Sequence, residues 1–418
     1  MREMKDSGIE WIGKIPLNWI CSKQKYALSL LNGRAFSDTE FLGEGKYRVL
    51  RVGNIFTNPV WYYSNLKLDD SKYCDKGDLL YTWSMSYAPV IWTGEKVIYH
   101  YHIWKVLPRK FINKRFAFYY LQALTLALKS EIHETTMGFI TMGIMNNAYI
   151  AYGSLKEQQA IANFLDAKCA DIDSLTADIQ KQINILKEYK KSVITQAVTK
   201  GLDPNVEMKN TASPYWNKIP KKWCLSDIKY IFKIVKRIAG KEGFDILSVT
   251  QKGLKIKDTS RNEGQIAENY KGYQFVYPGD FVMNHMDLLT GWVDLSKLFG
   301  VTSPDYRVFK LRDNIQNEAG YYKYVMQCCY SCRIFYSLGQ GVSTLGRWRL
   351  QTSVFNNFLL PVPPTTEQKA IADFLDAKCA DIDAAIAGKQ KQLDVLKEYK
   401  KSLIYEYVTG KKEVPCRE

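Results

Sequence analysis

The 418-residue chain has no apolar run of the ~18 residues that mark a membrane-spanning helix. Residues 1–14 mix charges of both signs and contain no apolar stretch of the kind a secretory leader needs, so a cytoplasmic location is expected. Cysteine is sparse. Nine are scattered along the chain, too few for a disulfide scaffold. Cys169 and Cys379 fall inside a helical pattern, where they read as small buried side chains of a reducing compartment. Cys329 and Cys332, beside Cys328, have Cys-x-x-Cys spacing, but no second pair follows and there are four histidines, so no zinc site is expected. Catalytic motifs are missing too. Residues 8–14 match a phosphate-binding loop up to Lys14, yet Ile15 stands where Ser or Thr is needed and Pro16 blocks the following helix. Asn58-Pro59-Val60-Trp61 lacks the second proline of the adenine-methyltransferase motif, and no glycine-rich cofactor loop precedes it. Pro304-Asp305 has no partner for a nuclease carboxylate pair. Enzyme activity in this chain alone, and a cofactor or metal bound to it, are therefore not expected.

What is present is a globular composition, 46% hydrophobic and 24% charged, with a net charge of +15 that calls for an anionic partner. It also contains a repeat. Residues 157–200 (EQQAIANFLDAKCADID…LKEYKKS) and 367–410 (EQKAIADFLDAKCADID…LKEYKKS) agree at 29 of 44 positions, without a gap, at an offset of 210. The likeness extends more weakly to Asn146-Asn147 with Asn356-Asn357, to IGKIPLNW at 12–19 with WNKIPKKW at 216–223, and to Lys76-Gly77-Asp78-Leu79 with Pro278-Gly279-Asp280-Phe281. The unit is a domain of about 155 residues followed by one helical segment, repeated with approximate internal two-fold symmetry. The first segment holds six acids and six lysines, the second eight and seven, so the remaining +16 lies in the other parts of the chain.

Each segment reads as a long helix with a coiled-coil seam. Leu165, Ile172, Ile179, Leu186 and Val193 recur every seven residues, with Cys169, Thr176, Ile183, Lys190 and Ala197 in the complementary position. The second copy repeats this with Leu375, Ile382, Lys389, Leu396 and Leu403 against Cys379, Ile386, Leu393, Lys400 and Tyr407. About 40 residues at 1.5 Å each make a rod of roughly 60 Å, which needs a partner along its apolar seam. Two copies in one chain favour an intramolecular antiparallel pair over a dimer. A break is expected near Asp171 or Asp381, where the pattern thins, and fraying or a covering partner where Lys190, Lys389 and Lys400 enter the seam.

Between the helices the pattern changes to short apolar or alternating runs at 47–55, 78–83, 97–106, 244–250, 274–282 and 306–311, with helices expected at 116–129 and 317–330. Each domain therefore reads as α+β, with a small, curved, mainly antiparallel sheet. Trp83, Tyr87, Trp92, Tyr99, Tyr101 and Trp104 interleave with Lys96 and His102, a pattern that suits either sheet packing or a nucleic-acid surface. Polar loops follow the Gly-Asp turns. Thr82, Ser84 and Tyr87 in the first domain and Asn284 and His285 in the second are placed to meet base edges. Lys129 and Ser130, and Gln340, Ser343 and Thr344, form a second pair of candidate loops, while Arg48, Arg51, Arg347 and Arg349 are candidate phosphate or base ligands.

These motifs resemble the specificity subunit of type I restriction-modification systems along nearly the whole chain. The resemblance rests on the paired Glu-Gln-x-Ala-Ile-Ala-x-Phe-Leu-Asp starts at Glu157 and Glu367, the Leu-Lys-Glu-Tyr-Lys-Lys-Ser segments at Leu186 and Leu396, and Lys-Ile-Pro-x-x-Trp at Lys14 and Lys218. It implies target-recognition domains at 1–156 and 202–366, helical spacers at 157–201 and 367–410 and a tail at 411–418, with the spacers packed as an antiparallel coiled coil. Each domain would read one half of an asymmetric bipartite site in double-stranded DNA. Two modification subunits carrying S-adenosylmethionine would methylate adenine, and restriction subunits using ATP and Mg would join. The first domain's 129–133 loop departs from the glycine-rich form of its counterpart at 339–344. A stand-alone DNA-binding scaffold, or a coiled-coil structural protein without a methylation partner, remains the alternative reading of the residues.

Overall fold

A computed structural model describes residues 2–84, 86–133, 140–258, 269–341 and 348–415, apart from the side chains of 130–133. Two compact units emerge, one formed by Met1–Gln180 with Lys391–Glu418, the other by Lys181–Gln390. In the first unit the principal strands are β1 (Leu28–Asn32), β2 (Tyr47–Leu50), β3 (Tyr62–Ser64), β4 (Tyr73–Cys74), β5 (Leu79–Thr82), β6 (Ala88–Ile91), β7 (Val97–Tyr99) and β8 (Ile103–Pro108). Helix α1 (Lys114–His133) follows, then α2 (Leu155–Lys200). The second unit repeats the order with β9 (Phe232–Val235), β10 (Leu247–Thr250), β11 (Gly253–Ile256), β12 (Gln274–Val276), β13 (Phe281–Met283), β14 (Val293–Leu295), β15 (Gly300–Thr302), β16 (Arg307–Leu311), α3 (Ala319–Ser331) and α4 (Thr365–Val408).

The antiparallel sheet β1-β8-β5-β6 of the first unit has its counterpart in β9-β16-β13-β14 of the second. The smaller sheets also correspond. The first unit joins β3-β2-β7-β4 through a parallel β2–β7 pairing. In the second that parallel link shrinks to one bridge, Ile246 to Val301, leaving β10-β11 and β12-β15 as separate pairs.

Three of the expected runs are broken by a turn. The 47–55 run ends at Leu50 and becomes a helical turn, Val52–Phe56, because the Asn54 amide accepts from the Arg51 N–H and donates to the Asn58 and Val60 carbonyls. The 97–106 run reverses at His100–His102 into two strands, and 274–282 is cut by the Pro278-Gly279 turn, where Gly279 takes φ +89°. The helices expected at 116–129 and 317–330 appear as α1 and α3.

The long helices are continuous, so neither breaks at Asp171 or Asp381 as the thinning heptads suggested. Both aspartates are exposed and off the seam, where they cost the helix little. In the first unit Leu165, Cys169 and Ile172 share a core with Leu403, Ile404, Tyr407 and Val408, so the two segments run antiparallel there. In the second, Val193, Ala197 and Val198 share a core with Ile371, Leu375 and Cys379. Ile179, Ile183 and Ile382 are buried, while Leu186 and Leu396 are half-buried. The seam lysines are not frayed. Lys400 bonds both oxygens of Asp173 (2.6 and 2.7 Å), Lys190 bonds Asp383 (2.6 Å), and Lys389 donates to the Gln182 amide oxygen. A four-carbon stem covers the seam while the ammonium reaches its rim, which is why lysine is tolerated there. No helix among the described residues is long and apolar enough to cross a membrane.

Candidate nucleic-acid interface

Each sheet is fastened to the helix pair by the same set of atoms. Trp19 is buried in the first unit and its indole N–H donates to Glu157 (3.4 Å); Trp223 does the same to Glu367 (2.9 Å). Gln158, wholly buried, accepts from the Asn113 N–H and donates to the Phe111 and Gly153 carbonyls. Gln368 accepts from the Glu318 N–H and donates to the Gln316 and Pro363 carbonyls. Tyr119 donates to Asp166 (2.7 Å), which also pairs with Arg115; Tyr324 donates to Asp376 (2.6 Å), which also pairs with Lys323. The Asn-Asn pairs belong to this framework, since Lys23 donates to Asn147 and Lys229 to Asn357. These ties explain why the Glu-Gln and Leu-Asp motifs survive in both copies. Burial raises the pKa of Glu157, but hydrogen bonds from Ser154, Trp19 and Arg2 outweigh it and hold the carboxyl below its ordinary range.

Away from the helices, the first unit gathers aromatic and cationic side chains. Thr82 is fully buried, its hydroxyl bonded to the Ser86 and Ala88 carbonyls, so it braces the loop that carries the half-buried Ser84. Trp83 ties that loop to the β7–β8 reversal by donating to the Tyr101 carbonyl (2.8 Å), and it stacks on Trp104 at 5.8 Å. Tyr87 lies under Lys129, whose ammonium is 5.7 Å from the ring centre. Ser130 falls in α1, outside the described side chains. Arg48 pairs with Glu95 at 3.1 Å and sits over Trp61; Arg51 lies 5.5 Å from Phe41 and 5.3 Å from Tyr62. Desolvation, reinforced by His102 and Arg51, lowers the His100 pKa to about 4.

Sequence reasoning missed the residues that extend this array. Arg34 covers Phe36 at 4.8 Å, and Phe36 stacks on both Phe41 and His100. The one sequence signal at 34–41 is Arg34 followed by Phe36 and Phe41, outside the 83–104 stretch where aromatic residues were sought.

In the second unit the 284–287 loop is held from below. The Asn284 carbonyl accepts from the Tyr330 hydroxyl (2.8 Å), and the Asn284 amide oxygen accepts from the Met286 N–H. The His285 carbonyl accepts from the Leu350 N–H, and Gln340 and Arg349 exchange both backbone hydrogen bonds, which brings Asn284, His285, Gln340 and Arg349 to one end of the sheet. Gln340 and Arg349 are exposed; Ser343, Thr344 and Arg347 lie outside the described residues. Arg307 was also missed. It is buried, donates to the Leu350 carbonyl and Thr352 hydroxyl, and stacks on Phe355 at 4.4 Å. Burial brings its pKa down to about 10, and desolvation with Arg307 and Arg349 nearby takes His285 to about 4, so the ring is neutral at pH 7.

The Cys328 and Cys332 sulfurs are 3.8 Å apart, and among the described residues no group of three or more His, Cys, Asp or Glu is arranged to hold a metal ion. The fold thus defines a protein of two small sheet units carried on paired helices, with polar and aromatic loops at the far ends of the sheets. A family described as the type I restriction modification DNA specificity domain matches residues 18–185. The MjaVIII specificity subunit of a type I restriction enzyme, from Methanocaldococcus jannaschii, is 26% identical over 81% of this chain and 79% of its own length. The EcoBI specificity subunit from Escherichia coli is 22% identical over 62% of this chain, which spans about half (54%) of that relative. A solved structure described as underlying complex assembly and conformational transition of the type I R-M system superposes with a TM-score of 0.66 at 12% identity, covering 94% of this chain and 98% of that one. The chain is thus similar, in sequence and in fold, to the specificity subunits of type I restriction-modification systems.

Proposed function

We infer that each unit reads one half of an asymmetric, split duplex target, and that the repeated helices hold the subunits that modify or cut it. One observation carries this reading: one exposed stretch of the helices stayed the same after duplication while the loops diverged. Lys187, Glu188, Tyr189 and Ser192 recur as Lys397, Glu398, Tyr399 and Ser402, all at the surface. Nothing in packing requires exposed residues to match, so two like surfaces fit two copies of one partner, the modification subunit. Each of these segments borders a groove beside its own domain helix. The first is lined by Ala123, Leu126, Lys397 and Lys401, the second by Lys187, Lys191, Lys323 and Gln327.

The proposed recognition domains are 1–156 and 202–366, with spacers at 157–201 and 367–410 and a tail at 411–418. Small sheets curving toward the duplex would present Arg48, Arg51, Ser84, Tyr87 and Lys129 from the first, and Asn284, His285, Gln340 and Arg349 from the second. Phosphate contacts would set the register, and base-edge contacts would discriminate by ~1–3 kcal/mol per good bidentate pair. Thr82 would act through the loop it braces. S-adenosylmethionine would sit on the modification subunits, delivering methyl groups to adenine, and ATP and Mg on restriction subunits. The cytoplasm is where such a complex meets the cell's DNA.

Methylation-site sequencing in cells that express the chain with its matched modification subunit tests the reading. A bipartite adenine motif with unequal halves is expected; a formed complex that yields no motif contradicts it. Insertion of one heptad into α2, ~10 Å of helix, should lengthen the unread spacer or abolish methylation.

A further inference from the structure

The two units differ sharply at one matched place. In the first, Leu28 pairs with Pro108 and Ser29 with Leu107; in the second, Phe232 pairs with Leu311 and Lys233 with Lys310. The Arg109 N–H bonds the Ala27 carbonyl, as the Arg312 N–H bonds that of Ile231, which fixes the correspondence. Ser29 and Leu107 have therefore become two lysines directly opposite each other on neighbouring strands. Like charges in that position destabilise a sheet. Both are exposed, and neither has an acidic partner among the described residues.

Around them lies a concavity of about 500 Å³, lined also by Arg237, Arg312, Tyr277, Gly279 and Asp280. Arg237 is held at its mouth by Asp280 (2.9 Å) and by the Tyr277 face (4.8 Å). Gly33 stands at the matched position of the first unit, where Asp78 is paired instead by Lys105 at 2.7 Å. Arg312 is anchored through its Nε–H to the Lys229 and Phe232 carbonyls, so its terminal nitrogens are left for another acceptor. Asp280, nearly buried and spent on Arg237, is the one acid in the lining. Four cations converge on a hollow containing one neutralised carboxylate.

We propose that Lys233, Arg237, Lys310 and Arg312 form a phosphate-binding pocket present in the second unit and absent from the first. An anion bridging Lys233 and Lys310 converts their repulsion into attraction, and the two anchored guanidiniums supply directed donors. Phosphate groups can come from the backbone of the target duplex or from a free polyphosphate. The duplex is favoured because only the three residues of β13, ~10 Å at 3.3 Å per residue, separate the Pro278–Asp280 turn from the 284–287 loop. That choice rests on the DNA-reading function inferred above.

The test uses the full chain assembled with its modification subunits and the double variant Lys233→Ser with Lys310→Leu, which restores the first unit's own residues. Both side chains are exposed, so the variant should melt no lower than the parent. Duplexes carrying single neutral methylphosphonates across the methylated site are titrated between 50 and 200 mM salt. The parent should lose affinity at one or two backbone positions to which the variant is indifferent, and the variant's affinity loss over this salt range should be about tenfold smaller, as expected for two fewer phosphate contacts. The methylated sequence should not change. Calorimetry with inorganic tripolyphosphate on the full chain covers the other source: binding lost in the variant, with matching methylphosphonate profiles, assigns the pocket to a free polyphosphate. Identical profiles and salt dependence without tripolyphosphate binding overturn the proposal. Failure of the parent complex to bind any duplex counts against the DNA-reading function, and the calorimetric arm still decides the pocket.

Discussion

The junction between sheet and helix and the loop end of the same sheet had different histories. At the junction the two units repeat one another almost atom for atom: an indole on a glutamate, a buried glutamine bridging three backbone groups, a tyrosine on an aspartate. At the loop ends almost nothing repeats. One unit offers an arginine and aromatic array around His100, the other a short loop over the buried Arg307. The strands between keep the same order, so the divergence was taken up by side chains and loops on a preserved sheet. A junction that satisfies buried donors tolerates few replacements, since any orphaned group costs free energy; a solvated loop tolerates many.

This comparison breaks most readily at the tryptophans. Trp19→Ala and Trp223→Ala should each cost about 3–5 kcal/mol in denaturant melts. A large loss at one and none at the other would mean that the junctions only look alike. Next come the glutamines: Gln158→Leu and Gln368→Leu each strand three backbone partners, and a loss of about 1–3 kcal/mol apiece is expected from the same melts.

Acid should act on both units through their half-buried imidazoles. His100 and His285 are held near pKa 4, whereas an unfolded histidine titrates near 6.5. The unfolded chain thus takes up protons that the folded chain refuses, so stability is intact above pH 6.5 and falls as the pH drops toward 4. His100→Asn and His285→Asn should each flatten that part of the melting-temperature profile; an unchanged slope in either would place that imidazole in water. The smallest effect is at the seam. Lys400→Ala and Lys190→Ala remove partly exposed ion pairs, and less than about 1 kcal/mol should separate either from the parent.

One asymmetry lies in the helices themselves. Phe164 packs on Tyr407 at 4.5 Å, whereas Ala197 occupies the position in the first copy that matches Tyr407, and Phe374 is left 42% exposed. Otherwise the seam was readable residue by residue, because a heptad repeat declares which face must leave water. The lysines within it were misjudged, because spacing records where a side chain starts and not where a flexible stem ends.

The sequence by itself determined the duplication, the two helices and their apolar faces, the domain helices and the location of the excess charge, since all of these follow from period and composition. Only the tertiary structure decided that Thr82 turns inward, that Arg307 and Arg34 join the loops, and that Lys233 meets Lys310. Each depends on strand register, which brings together residues tens of positions apart, and a shift of one residue would send every one of those side chains to the opposite face.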